Sequence, residues 1–234
     1  MTGAAGGIGS AIIERLQAEG AIVTAADLDL QVVDADHRIS GDLTDAAYCR
    51  TLVDDACRRM GGLDILCNNA GIIRRGSITA ATDEDFTLTV AINIEAPFRL
   101  CRAAIPRMAE GGGGAFINTA SCWGLRPGPL HPLYCMSKAP LASLTQCLGR
   151  DHAHQGIRVN AVCPNEVDTA MLRTGFEIRG IDPEDGVAAL DRTVPLGRIA
   201  KPGDIADVVA FLASDDAHYL CGALIEAHGG KPVG

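Results

Sequence analysis

The sequence predicts an α/β domain on a doubly wound, mostly parallel sheet, and three observations lead there. Apolar runs of strand length alternate with longer amphipathic stretches along all 234 residues. Several runs, such as "LDILCNNA" at 63–70, are apolar on both faces, as strands covered by helices on each side must be. The intervals between runs are long enough for the crossover helix that a parallel connection requires. With 47% hydrophobic and 21% charged residues, a single domain over 1–234 can bury about 70% of its unfolded surface.

The elements follow in order. A glycine-rich start, "MTGAAGGIGS", leads into a helix over 9–19. Strands at 21–28 ("AIVTAADL") and 37–42 ("HRISGD") precede a helix over 45–60 and a strand at 63–70. Thr82 with Asp85 three residues on has the pattern of a capping box and starts a helix over 83–109. A strand at 114–121 ("GAFINTAS"), a helix over 132–155 and a strand at 157–164 ("IRVNAVCP") come next. Pro202-Gly203-Asp204 opens a helix over 203–214, and "ALIEA" at 223–227 is the last strand. Pro140 falls inside the helix over 132–155 and is expected to kink it or to cost about 3 kcal/mol.

Composition narrows the function classes. A formal charge of −9, with Lys and Arg scattered, provides no basic patch for nucleic acid or an anionic membrane surface. No apolar run approaches the roughly eighteen residues of a membrane helix, and the first residues lack a basic segment followed by an apolar one. Nine cysteines, an odd number without a CxxC pair, sit mostly in apolar stretches. They are expected to be reduced core residues of a cytoplasmic protein, with no zinc site.

Gly3, Gly7 and Gly9 fall just before an apolar helix, where bare N–H groups, Ile8 among them, and the helix N-terminus can receive a pyrophosphate. Such a turn is common by itself. Asp27, 18 residues after Gly9 and at the end of the next strand, strengthens the reading. A carboxylate there accepts hydrogen bonds from ribose hydroxyls and repels a 2′-phosphate, so NAD is preferred over NADP. Asp42-Leu43, closing the following strand, are placed to flank the adenine; the alternative is that any acid of the "GDLTD" turn simply caps the following helix. Tyr134 and Lys138 in "YCMSK" share one helix face, where an ammonium can stabilise a phenolate.

Taken together, these segments resemble a short-chain dehydrogenase/reductase across almost the whole chain. The quoted motifs come in family order: TGxxxGxG at 2–9, "NNAG" at 68–71, Asn93 in "AINIEAPF", Ser121 in "INTAS", Tyr134 with Lys138, "CPNEVDT" at 163–169 and "HGG" at 228–230. The resemblance implies a Rossmann-like fold and a catalytic set of Asn93, Ser121, Tyr134 and Lys138. Tyr134 would exchange the proton of the carbonyl or alcohol oxygen, and Ser121 would hydrogen-bond that oxygen. Lys138 would lower the tyrosine pKa and hold the nicotinamide ribose, and Asn93 would keep a water between Lys138 and solvent. Asn69, Ala70 and Gly71 would lie along the cofactor, and Pro164, Val167 and Thr169 would meet its carboxamide end. The 13 residues from Ser121 to Tyr134 suit carbonyl and alcohol enzymes rather than enoyl reductases.

Substrate choice is expected in the variable stretches after Gly71, Ser121 and Thr169, which contain Arg74, Arg75, Met171, Leu172 and Arg173; the candidate contacts are Trp123, Arg126, His131 and Glu166. A small sugar, polyol or sugar acid fits them. The alternatives are a 3-oxoacyl thioester reductase and a non-catalytic dinucleotide-binding relative. Homo-oligomers, dimer or tetramer, are the family habit. Two residues depart from the family pattern: Asn165 stands where glycine is common, and His228 where aspartate is common. A third departure concerns the fold: no apolar strand precedes the glycine loop. Because that strand would be central, the expectation is that an apolar segment normally precedes Met1.

Overall fold

A computed structural model describes residues 1–231. In chain order the elements are α1 (Gly7–Ala18), β1 (Thr24–Asp27), β2 (His37–Ser40), α2 (Ala46–Met60), β3 (Ile65–Asn68), α3 (Asp83–Val90) and α4 (Ala96–Gly111). They continue as β4 (Gly114–Thr119), α5 (Cys122–Leu125), α6 (Pro132–His152), β5 (Ile157–Pro164), α7 (Ala170–Glu177), α8 (Pro183–Asp191), α9 (Pro202–Ala213) and β6 (Leu224–Ala227).

All strand pairings are parallel. β3, β4, β5 and β6 form one sheet in that order, and β1 pairs with β2 beside it. Along β4 the alternation of side chains sends Ala115 and Ile117 into the core under α1 and α9, with Ile12, Leu16, Ile205 and Val209. Phe116, between them, enters the core on the other face with Leu52 and Val53 of α2 and Leu100 and Met108 of α4. Helices therefore cover both faces, which is why the strands are apolar throughout.

Between β1 and β3 the first residues of the chain, Met1 and Thr2 foremost, join the two halves. The Met1 ammonium donates to Thr24 O at 3.0 Å, Ala26 N–H donates to Met1 O at 2.9 Å and Thr2 N–H donates to Cys67 O at 3.1 Å. Thr2 pairs with Ala26 as a single parallel bridge. Ahead of that bridge lies a cavity of about 340 Å³, lined by side chains of β1, β3, α2 and the α1–β1 turn, among them Val23, Leu52, Val53, Ile65 and Leu66. Thr24 Oγ1, in its wall, is buried without a hydrogen-bond partner, and burial lowers the pKa of the Met1 ammonium. The structure thus presents a slot between β1 and β3, the inner edges of the two sheets.

Several expectations need correction. The helix predicted over 83–109 is two helices joined by a π-helical turn, Ala91–Glu95, which carries Asn93. Asp85 N–H does donate to Thr82 Oγ1 at 3.1 Å, but the Asp85 carboxylate pairs with Arg74 Nε at 2.6 Å instead of closing a capping box. α6 runs unbroken through Pro140, which lies on the exposed face with Met136, so water can reach the carbonyl deprived of its partner. Short helices α5, α7 and α8 were not anticipated; glycines at 175 and 186 interrupt the apolar periodicity of α7 and α8. All nine cysteines are free, and Cys147 and Cys221 are exposed rather than core residues.

The slot generates a test. Joining a Val/Ile-rich tetrapeptide ahead of Met1 buries at least two large side chains at about 1.5–3 kcal/mol each, which in a chain of this size raises Tm by at least about 5 °C in calorimetry. An unchanged Tm would show that the slot does not accept an extended segment.

Candidate active site

The glycine loop is shaped by close approach. Gly3 adopts φ +65°, and a Cβ there would lie 2.7 Å from Ala70 Cα. A Cβ on Gly9 would lie 2.0 Å from Gly3 O, so α1 can start against the loop only with glycine at this position. Gly7 packs on Thr169, whose methyl would be 3.3 Å from a Cβ at residue 7. No side chain caps α1 and no acid stands in its first turn, which leaves the N–H groups of the turn containing Gly7, Ile8 and Gly9 available to an anion. This donor set fits a dinucleotide pyrophosphate.

Asp27 closes β1 beside this loop. Its Oδ2 accepts from Ala5 N–H at 2.9 Å and its Oδ1 from Leu28 N–H at 2.7 Å. The carboxylate that the sequence assigns to a ribose thus also holds the loop in place. Asp42 Oδ1 accepts from Thr44 N–H at 2.8 Å, and Leu43 is buried beside it. The cap of α2 is Asp45, whose side chain accepts from Ala47 N–H. An acid of the "GDLTD" turn thus caps the helix, and that acid is Asp45.

The segment after β3 links loop and helix. Thr2 Oγ1 accepts from Asn69 N–H and Ala70 N–H at 3.2 and 3.3 Å, and Asn69 Nδ2 donates to Thr2 O and Gly3 O. One residue on, a Cβ at Gly71 would be 3.1 Å from Lys138 Nζ and 3.4 Å from Asn93 Oδ1. Lys138 and Asn93 thus meet at Gly71. Asn93 holds the chain there: Oδ1 accepts from Ile72 N–H at 2.9 Å, and Nδ2 donates to Ile72 O at 2.9 Å and Ser137 Oγ at 2.8 Å. The π turn widens the helix where this side chain must reach inward.

Lys138 is buried and donates to Thr119 O at 2.8 Å. Burial lowers its pKa to about 8, because a dry surrounding opposes the ammonium. Tyr134, one turn earlier, stands in the opposite situation: burial raises its pKa, and the Ser121 hydroxyl and the Arg75 charge draw it back down. Ser121 caps α5, accepting from Trp123 N–H at 3.1 Å, and this cap fixes the hydroxyl at the end of β4.

Trp123 forms a wall. Its ring meets Tyr134 edge-on at 6.5 Å and His131 at 4.6 Å. His131 Nδ1 donates to Pro129 O at 2.8 Å, and burial, with Arg75 and Arg179, lowers its pKa. Two other candidates are already paired: Arg126 with Glu226 of β6, and Glu166 with Lys231 Nζ at 2.7 Å. Val167 bridges to Ala200, Thr169 caps α7, and Pro164 O faces Ser121 Oγ at 3.5 Å. Asn165, standing where glycine is common, does not have a positive φ, and His228 Nδ1 accepts from the nearby Gly230 N–H. The residues that sequence reasoning missed are Thr2 as an organiser, Thr119 as the lysine's acceptor, and Gly175 and Arg179 on α7 and just beyond it. Among the described residues no group of three His, Cys, Asp or Glu could hold a metal ion, and no helix is long and apolar enough to cross a membrane.

Comparison with known proteins agrees with this geometry. The family described as enoyl-(acyl carrier protein) reductase matches residues 3–231. The chain is 36% identical over 247 aligned positions to a 4-formylbenzenesulfonate dehydrogenase of Comamonas testosteroni, covering 100% of this chain and 96% of that protein. It is 35% identical over 244 positions to a galactitol 2-dehydrogenase of Agrobacterium fabrum, covering 99% and 95%. The ligand-free structure of an aldohexose dehydrogenase from Thermoplasma acidophilum superposes with a TM-score of 0.92 at 30% identity, covering 98% of this chain and 91% of that one. The glycine loop packed on Asn69-Ala70, and Lys138 held at Gly71 beside Tyr134 and Ser121, place the chain in the short-chain dehydrogenase/reductase family, oxidoreductases acting on CH–OH groups.

Proposed function

We propose that this protein interconverts a secondary alcohol and a ketone on a small polar substrate, a sugar, polyol or sugar acid, with NAD as the partner. The observation that carries the reading is the meeting of Lys138 Nζ with Gly71, because it joins the helix bearing Tyr134 to the same segment that packs on the glycine loop. When bound, NAD takes or gives the hydride; the protein's own part is placement and proton transfer.

The uncapped turn at Gly7–Gly9 receives the pyrophosphate, and Asp27 takes the ribose while keeping Ala5 in position. Ser121 and Tyr134 converge on one substrate oxygen. In oxidation the Tyr134 oxygen accepts the hydroxyl proton as hydride leaves the carbon, and in reduction it returns that proton. Lys138, whose pKa of about 8 lies close to neutral pH, can release and regain a proton readily and sits where it can pass that proton onward. Trp123 closes the pocket on one side. Reduced cysteines support a cytoplasmic location. A homo-oligomer, dimer or tetramer, is supported by the exposed Phe98 on α4 and Met136 on α6 and by β6, which pairs on one side only.

Three experiments test the reading. Tyr134→Phe is expected to lower kcat by about 10²–10⁴-fold while NAD affinity, measured by calorimetry, stays within a few-fold; unchanged turnover would sink the catalytic assignment. Asp27→Ser is expected to shift the kcat/KM ratio toward NADP by at least about tenfold, measured with both cofactors on one substrate.

The third concerns stability. Folding lowers the Lys138 pKa from 10.5 to about 8, so between those values the folded state binds fewer protons than the unfolded chain. The cost of burying the ammonium is complete below pH 8 and fades as pH rises toward 10.5. Lys138→Met should therefore raise Tm at pH 7 relative to the parent protein, with the difference shrinking by pH 10. A gain that is the same at both pH values would contradict the assigned pKa.

A further inference from the structure

Two guanidinium groups stand together against α7, each without a carboxylate partner among the described residues. Arg75, on the segment after Gly71, donates from Nη2 to Met171 O of α7 at 2.8 Å. It lies in the space that a side chain at Gly175 would occupy: a Cβ there would be 2.7 Å from Nη2 and 2.8 Å from Cζ. Arg179 donates from Nε to Gly175 O at 2.8 Å, with its Cζ 5.1 Å from the centroid of the Phe176 ring. Gly175 is thus the point at which both cations are held.

Their neighbours on the chain are neutralised, and they are not. Arg74 pairs with Asp85, Arg126 with Glu226, and Arg173 with Asp168 and Glu184. Among the described residues Arg75 and Arg179 have no carboxylate within ion-pair distance. The two charges also repel one another, since each lies close enough to affect the same groups: both lower the pKa of His131, and Arg179 lowers that of Arg75. Like charges fixed side by side by backbone carbonyls cost free energy that a bound anion recovers. The pair is connected to the reacting end by geometry: Gly76 N–H, next to Arg75, donates to Leu130 O at 2.8 Å, and the following residue, His131, packs on Trp123, whose ring meets Tyr134 edge-on.

We propose that Arg75 and Arg179 select substrates in which an anionic group, a carboxylate or a sulfonate, accompanies the reacting CH–OH carbon. Each guanidinium uses one N–H on α7 and retains others for the anion in a planar, bidentate arrangement. For the reacting carbon the inference rests on the alcohol dehydrogenase reading; for the anion it stands on the arginines themselves.

Trp123, the only tryptophan, lies edge-on to His131 and reports binding without turnover. The protein is titrated with 3-hydroxybutyrate, 3-hydroxybutane-1-sulfonate and uncharged 1,3-butanediol, following its emission. At least one anion is expected to bind roughly 10- to 100-fold more tightly than the diol, and which one identifies the preferred group. Arg75→Gln, which keeps a donor for Met171 O, and Arg179→Gln are each expected to remove most of that difference. With NAD present, the ratio of kcat/KM for anion over diol should fall in the same order. Equal affinity for diol and anions in the parent protein overturns the proposal. So does an Arg75→Gln variant that weakens all three alike, the result of a clamp that merely steadies α7. Anion preference without NAD turnover of any of the three leaves the anion site standing and sinks the dehydrogenase reading, and turnover of the diol without anion preference does the reverse.

Discussion

Thr2 is the joint on which the molecule turns. Its N–H donates to Cys67 O, binding it to β3, and its residue bridges to Ala26 of β1. Its hydroxyl accepts from Asn69 and Ala70 and its carbonyl from Asn69 Nδ2. These bonds set the distance between the two halves of the sheet, and they also set how closely the glycine loop approaches the segment leading to Gly71. Backbone groups buried without partners cost about 1–3 kcal/mol each, so one residue that satisfies both sides of a gap bears on stability and on site geometry at once.

From that joint the site is assembled by contact rather than by charge attraction. Asn69 to Gly71 press on the loop, Gly71 leaves room for Lys138, and Asn93 reaches from a π turn to hold Ile72. The lysine sits in a dry place against a carbonyl, a position that disfavours its own charge. Such a residue lowers the stability of the fold it occupies, and a site that works by proton transfer is where that cost is expected.

Much of this was legible in the chain. Strand and helix positions followed from apolar periodicity because both sheet faces are covered, and Gly3, Gly9 and Asp27 were recognisable from spacing alone. The π turn at 91–95 was not, since a one-residue widening leaves the helical apolar pattern nearly intact. The helices at 170–191 were hidden by Gly175 and Gly186, and Gly175 is absent as a side chain for a reason visible only in three dimensions: Arg75 fills its place. Arg126 and Glu166 looked like substrate contacts because a sequence does not show that Glu226 and Lys231 come to meet them. The spacing of Tyr134 and Lys138 puts them one turn apart on α6, but it does not show that Lys138 is buried and donates to Thr119 O.

The electrostatics then settle into two regions of opposite character. Around Lys138 the surroundings remove charge: the ammonium is pushed toward neutrality and the phenol of Tyr134 is held protonated by burial. Around Gly175 the surroundings keep charge in place, with two guanidiniums fixed to carbonyls and unpaired. In a chain whose formal charge is −9, a fixed pair of cations against α7 is a local reversal of the field, and a long-range negative background slows an approaching anion unless such a reversal guides it. Arg75 belongs to both regions, since its charge reaches Tyr134. An anion that neutralised Arg75 would remove one of the groups that oppose the upward shift of the tyrosine pKa.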